Sequence, residues 1–264
     1  MNQLPLQKRA LIVQCLVDCV SVRGTARIAN VSINTVAKLQ RELGATCEDM
    51  MKAKFKDLLP TRLEVDEQHS FVRIKDHRLP EAMNGLSDCG SVWLWTGICS
   101  KTRLMPVFHV GKRTSEDALI FMQKVRRCYR GKITIISDGF GAYPEAVEQV
   151  FGRSVRFAQL VKQHKNRRYA GAVKKVVQGH VPLNEISTSY VERANLSLRT
   201  GVKRLARRTN AFSKNIENHR YAIALYLAYY NFVRTHSTLR VSPAMEAGIE
   251  TRLWSIEELL GLLD

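Results

Sequence analysis

Two aspartates in this chain stand where chemistry could be done. Asp138 closes the apolar run "KITIISD" and is followed at once by "GFGAYPEAV". Asp66 lies within "RLEVDEQHSFVRI", a stretch with the alternation and β-branched content of a strand. Carboxylates brought together from different elements are the oxygen donors that magnesium requires, with substrate phosphates among its other ligands. Two such ions about 4 Å apart activate a nucleophile and steady the leaving oxygen of an in-line phosphoryl displacement. A lone aspartate after a strand is more often a turn former. Here a matching acid on another strand favours the chemical reading. Gly139 and Gly141 favour it too, as room for a phosphate backbone to approach.

A third acid is expected from a helix packed over the same edge. In "STSYVERANLSLRTGVKRLARR", Ser187 or Ser189 serves as a cap and Tyr190 to about Leu205 as helix. Glu192, Asn195 and Arg199 then fall on one helical face, presenting an acid, an amide and a guanidinium to metal and DNA. The plainer reading has Glu192 offsetting Arg193 or Arg199 on a solvated face. Glu185 is the rival acid, in a looser stretch before the cap.

The elements that must position these residues begin beyond Pro60. "RLEVDEQHSFVRI", "VWLWTGICS" and "RLMPVFHV" read as three strands with short connections, an antiparallel meander. "TSEDALIFMQKVRRCY" reads as a helix capped by Thr114 or Ser115. "KITIIS" is a strand buried on both faces. "YPEAVEQVFG" is a helix with Pro144 near its start and Gly152 past its end. "SVRFAQLV" is one more short strand. This order resembles the RNase H-like fold, an α/β mixed sheet flanked by helices, with Asp66 and Asp138 at one sheet edge. From Asp138 to Glu192 is 192 − 138 = 54 positions, and the excess falls in "VKQHKNRRYAGAVKKVVQGHVPLNE". A loop or hairpin inserted there fits, and could hold DNA.

Residues 7–44 read as three short helices. A helix over Lys8–Asp18 is followed by Thr25–Ala29, a turn at Asn30-Val31-Ser32, and a helix from Ile33 to about Leu43 capped by Ser32. Short helix, tight turn, second helix is the helix-turn-helix signature. Its second helix would bring Asn34, Thr35, Lys38 and Gln40 to bases or phosphates. The plainer reading is a three-helix cap with no DNA role. The expected organisation is a small all-α domain over 1–45, a linker over 46–60, a catalytic domain over 61–250 and a helical tail over 251–264.

The 264 residues hold 41 Lys and Arg against 24 Asp and Glu, a formal net charge of +17. Such an excess points to a polyanionic partner, nucleic acid before an anionic membrane surface. Basic runs lie at Lys124–Lys132, Lys162–Arg168 and Arg199–Arg208. As DNA contacts they offer Arg167, Arg168, Lys203, Arg204, Arg207 and Arg208, beside Asn195 and Arg199 from the catalytic helix. Tyr169 could stack on a splayed base or simply pack. The Tyr and Leu stripe of "YAIALYLAYYNFV" is read as core, and His219 and His236 as structural or phosphate-contacting. That run is too short to span a bilayer. The six cysteines lack paired zinc spacing, and no signal peptide is legible. A cytoplasmic, nucleoid-associated bacterial protein is expected.

Five ordered blocks carry a family resemblance: "VDEQHSFV", "SDGFGAYPEAV", "ISTSYVERANLSLR", "RRTNAFSKNIENHRYAIALYLAYYNFVRTH" and "SPAMEAGI". Together, from roughly Arg62 to Ile249, they resemble the DDE transposases of the insertion-sequence-one family. The cysteine-rich zinc module that often precedes the helix-turn-helix in that family has no counterpart among these residues. The resemblance implies an RNase H-like core using Mg2+, with Mn2+ as a substitute, and a triad of Asp66, Asp138 and Glu192. Asp66 would bridge two metals, Glu192 would complete one metal site and help orient the nucleophile, and Arg199 would contact DNA. Water would cut the phosphodiester at an element end, and the freed 3′-hydroxyl would attack target DNA in line, with no covalent enzyme intermediate. The expected partners are double-stranded DNA, as element ends and target, and further copies of the chain as a homodimer or higher oligomer, with no membrane. Two alternatives stay open: a metal-dependent nuclease that never joins, and a catalytically inactive DNA-binding repressor.

Overall fold

The structure is a computed structural model that describes residues 4–83, 88–166 and 168–264. It divides into two compact units. One comprises Met1–Lys54, Ser70–Val92 and Leu196–Asp264, the other Phe55–His69 and Trp93–Asn195.

The first unit is mainly helical. Helices α1 (Leu6–Val17), α2 (Val22–Ile28) and α3 (Ile33–Lys54) open it. The Ser21 hydroxyl accepts the Gly24 N–H to start α2. The Ser32 hydroxyl accepts the Thr35 N–H at 3.0 Å and caps α3 as expected. Between them Asn30 takes a left-handed conformation, φ 49°, which asparagine tolerates better than most residues.

Helix α3 does not stop near Leu43. It continues through 46–54, so that part of the stretch expected as linker is helix. Its buried residues Val36, Leu39, Leu43, Cys47 and Met51 recur every three or four positions without a break at Gly44. Gly44 is a crossing point rather than a stop. A Cβ there would stand 2.8 Å from the carbonyl carbon of Tyr221, on α7 (Ile216–Ala228).

Helix α7 buries nearly all of its second half and passes into a π-helical turn at Tyr229–Val233, so the Tyr and Leu stripe is core. His219 is fully buried, with Nδ1 2.8 Å from the Ser213 hydroxyl. Burial pushes its pKa down to about 3, so the ring stays neutral and structural. Two short helices follow, α8 (Pro243–Glu246) and α9 (Ile256–Leu260), the latter within the expected helical tail and opened by a Ser255–Glu258 capping box.

The second unit is built on the sheet. In chain order the elements are β1 (Arg62–Val72), β2 (Gly90–Cys99), β3 (Val107–Gly111), α4 (Ser115–Cys128), β4 (Ile133–Asp138), α5 (Tyr143–Phe151), β5 (Val155–Lys165), β6 (Arg168–Gln178) and α6 (Ser189–Gly201), of which the end of β1, the start of β2 and the end of α6 are counted in the first unit. The sheet order is β3-β2-β1-β4-β5-β6. β2 and β3 are antiparallel, β4 is parallel to both β1 and β5, and β6 folds back antiparallel on β5. This is the RNase H-like mixed sheet with one hairpin added. β5, expected as a short strand, runs for 11 residues to reach that hairpin. The hairpin accounts for the long interval between Asp138 and Glu192, and most of β6 is exposed.

β4 is buried throughout except at Asp138. On one of its faces Ile136 packs with Ala158, Val181 and Ile186. Helix α4 is capped by the Thr114 hydroxyl. Gly152, φ 49°, ends α5. Helix α6 stops at Gly201, four residues short of the expected end. Among the described residues no helix is long and apolar enough to cross a membrane. All six cysteines are free thiols.

Candidate active site

Strand register places the two aspartates side by side. β1 and β4 run parallel with Glu64 opposite Ile136 and Val65 opposite Ser137. The next step along both strands sets Asp66 beside Asp138, at a strand spacing of about 4.8 Å. Side chains at matched positions of parallel neighbours project to the same face. Carboxylate oxygens of Asp66, Asp138 and Glu67 all lie within 4.8 Å of one another. Asp138 Oδ1 accepts the Phe140 N–H at 3.0 Å, which fixes the carboxylate at the strand end. Of the two glycines that follow, Gly141 has open space around its missing side chain. Gly139 packs against Val161 and offers less room than its sequence suggested.

Glu67 is an acid that the sequence reading missed. Its neighbour relation to Asp66 was plain, but alternation along a strand sends adjacent side chains to opposite faces. Two partners on other elements hold it near the cluster. Arg113 Nη2 reaches Glu67 Oε1 at 2.7 Å, and the Tyr143 hydroxyl donates to Oε2 at 2.8 Å. Both oxygens are thereby engaged. Glu67 supports the site with charge, and Asp66 and Asp138 are its better placed ligands.

Concentrated negative charge shows in the titration of the cluster. Burial, then the neighbouring Asp138, pushes Asp66 up to about 6. The same two causes push Glu67 up to about 7. Hard oxygen donors crowded to the point of resisting ionisation fit a divalent cation of the magnesium or manganese type.

Helix α6 is tied to this edge at two points. Glu64, on β1 and fully buried, accepts the N–H groups of Tyr190 and Val191 at 2.8 and 3.2 Å. It acts as a tertiary cap for a helix 126 residues further along the chain. One turn later, Asn195 Nδ2 donates to Asp66 Oδ2 at 2.7 Å, and Asn195 Oδ1 accepts the Thr96 hydroxyl at 3.1 Å. The amide fixes the Asp66 rotamer. Glu64→Ala is expected to lose about 2–4 kcal/mol, since two helix donors and a cavity are left behind. Glu64→Gln, which still accepts, should lose less than about 1.5 kcal/mol. Urea midpoints at unchanged slope would check both.

Glu192 is not gathered into the acid cluster. Its Oε1 takes the ammonium of Lys162 at 2.8 Å and the hydroxyl of Thr188 at 2.7 Å. Against the cost of partial burial, these partners hold its carboxyl below the usual range. Glu185 lies in a short turn with Arg62 at 3.8 Å, also outside the cluster.

The expected DNA contacts divide by position. Asn34 and Lys38 are exposed on α3, Lys38 within 3.8 Å of Glu42, while the Thr35 hydroxyl is bonded to Ser32. Asn34 lines a cleft of about 870 Å³ in the first unit, with Arg23, Lys203 and Lys214 also on its wall. Arg207 and Arg208 are exposed, as is Arg168 on β6, and Arg199 is half-buried. Arg204 is turned inward instead, onto Gln40 at 2.9 Å and Ser213 at 3.3 Å. Arg167 lies outside the described residues.

The family profile of the IS1 transposases matches residues 163–233, which takes in the β5–β6 hairpin, α6 and α7. The insertion element iso-IS1n protein InsB of Shigella dysenteriae is 29% identical over 169 residues, 64% of this chain and 95% of that protein. Among solved structures, a chain of the simian T-cell lymphotropic virus intasome in complex with PP2A regulatory subunit B56 gamma is 14% identical, with 73% of this chain and 56% of that one covered and a TM-score of 0.42. The Mos1 transposase paired-end complex with left transposon end is 16% identical, with 59% and 60% covered and a TM-score of 0.22. The chain thus spans less than two thirds of these two solved chains. The fold assignment rests on the strand order above. The profile match and the likeness to InsB, nearly the whole of which this chain covers, make the chain similar to the IS1 transposases.

Proposed function

We propose that this protein is a divalent-metal-dependent DNA transposase that cuts the ends of an insertion sequence and joins the 3′-hydroxyls to target DNA. The observation that carries the proposal is the parallel register that sets Asp66 beside Asp138 at a crowded acidic sheet edge. Asp66 and Asp138 would hold the cation, Mg2+ by donor type with Mn2+ as substitute. A bound divalent pair supplies activation of the attacking oxygen and charge stabilisation at the leaving oxygen.

The chain's own residues do the positioning. Asn195 locks Asp66, Glu64 locks the helix that carries Asn195, and the Glu67–Arg113–Tyr143 group keeps charge and geometry fixed beneath the aspartates. Glu192, one turn of α6 before Asn195, completes the triad once released from Lys162. Duplex DNA, as element end and as target, is held by Asn34 and Lys38 of the helix-turn-helix and by Arg168, Arg199, Lys203, Arg207 and Arg208. The +17 charge supports that partner. Pairing two element ends calls for at least a homodimer, and the reaction belongs to a bacterial cytoplasm, at the nucleoid.

The test uses duplexes copied from the DNA flanking this gene, incubated with purified full-length protein and a plasmid. Mg2+-dependent joined product, absent with chelator, is the expected result. Nicking without joining would replace this reading with a nuclease. Binding with neither product would replace it with a DNA-binding repressor.

A further inference from the structure

Glu192 stands one turn before Asn195, whose amide already touches Asp66, yet its carboxylate is held by Lys162. Lys162 lies on β5, two residues past Leu160, the register partner of Asp138. Its ammonium is 2.8 Å from Glu192 Oε1 and close enough to be influenced by Asp66 and Asp138 as well. Glu192 in turn is close enough to act on Asp66. A cation carried by the chain itself therefore sits at the mouth of the acidic edge, bound to the carboxylate that the edge lacks. The pair is weakly committed. Its side chains are 43% and 46% exposed, a setting in which an ion pair contributes little stability and separates easily. Exposed lysine and a divalent ion compete for the same carboxylates, since like charges a few ångströms apart repel strongly at a protein surface.

We propose that Lys162 is a positioning residue for metal loading: it parks Glu192 outside the Asp66–Asp138 site, and exchanges that carboxylate for a DNA phosphate when cation and DNA arrive. The proposal rests on the transposase reading of the site. It gives the basic β5–β6 hairpin a role at the reacting phosphate as well as along the flanking duplex.

The experiment titrates Mn2+ into full-length protein without DNA and counts free Mn2+ by electron paramagnetic resonance. Lys162→Met is expected to bind Mn2+ roughly 3- to 10-fold more tightly than wild type, because the competing charge is gone. Lys162→Arg, which keeps the charge, should stay near wild type. In a Glu192→Gln background the gain from Lys162→Met should shrink to the smaller share owed to the lysine's field on Asp66 and Asp138. On duplex DNA, Lys162→Met should weaken binding and lower the log–log salt slope by about one.

Unchanged or weaker Mn2+ binding in Lys162→Met would overturn the proposal. So would a gain of undiminished size in the Glu192→Gln background, which would assign the effect to the field of Lys162 on the aspartates alone. An unchanged DNA affinity and salt slope would remove the exchange step. If Asp66→Asn binds Mn2+ as wild type does, the cation site itself is misassigned, an outcome distinct from failure of the lysine's role.

Discussion

Asp66→Asn and Asp138→Asn are each expected to cut DNA cleavage and joining by roughly 10³-fold or more, the scale of losing a metal's charge stabilisation. Binding to duplex DNA should persist in both, as read by band shift, because the contacts proposed for it lie elsewhere. Stability should move the other way. Asp66 is held up at about 6 by burial and by Asp138, against an ordinary 3.8. The folded protein therefore binds this proton more tightly than the unfolded chain does. Its stabilising contribution is full below pH ~4 and is lost as pH rises through about 6. Metal-free wild type should thus lose stability across that window, with Glu67 titrating in the same cluster.

Asp66→Asn removes the charge and should flatten the loss, leaving the metal-free variant at least as stable as wild type at pH 7. Mg2+ should stabilise wild type near neutral pH and leave the variant unmoved. Urea midpoints at pH 5 and 7.5, with Mg2+ and with chelator, read all of this. Wild-type cleavage by either variant would sink the assignment of the site.

Gly44→Ala is expected to have a large effect on the stability of the first unit. Two effects oppose each other. Alanine in a helix interior gains up to about 1 kcal/mol over glycine. Here the added Cβ would stand 2.7 Å from the Tyr221 Cβ and 2.8 Å from its carbonyl carbon, overlapping the carbonyl oxygen as well. Those atoms belong to the backbone and stem of α7, so no side-chain rotation clears them. Overpacking of this kind costs about 1–3 kcal/mol, and more where backbones must separate. Steric cost wins, and a net loss of about 2–4 kcal/mol is expected, or roughly 5–10 °C in Tm for a chain of this size. Gly261→Ala is the control. Its position meets no atom within 4 Å and needs no positive φ, so its midpoint should hold or rise slightly.

The same glycine shows where sequence reading ran short. A glycine after a run of helical residues is a stop signal, and the helix expected from the sequence ends at about Leu43, just before Gly44. The stripe Leu43, Cys47, Met51 was legible beyond it, but the reason for glycine lay on α7, some 180 residues away in sequence. Arg204 was likewise read with its basic neighbours as a DNA contact. Only packing revealed that it turns inward to Gln40.

What the sequence determined by itself was local. Hydrophobic periodicity and capping residues set the element order, the strand that carries Asp66, the strand that ends in Asp138, and the helical face that carries Asn195. Those signals depend on neighbours a few positions apart, so they survive without knowledge of the fold. Tertiary structure alone decided the rest. Glu64 caps a helix 126 residues away, Glu67 is drawn toward the site by Arg113 and Tyr143, and Glu192 is held out of it by Lys162. A carboxylate's role depends on which donor or cation reaches it. That partner comes from another element, brought near by sheet register and packing.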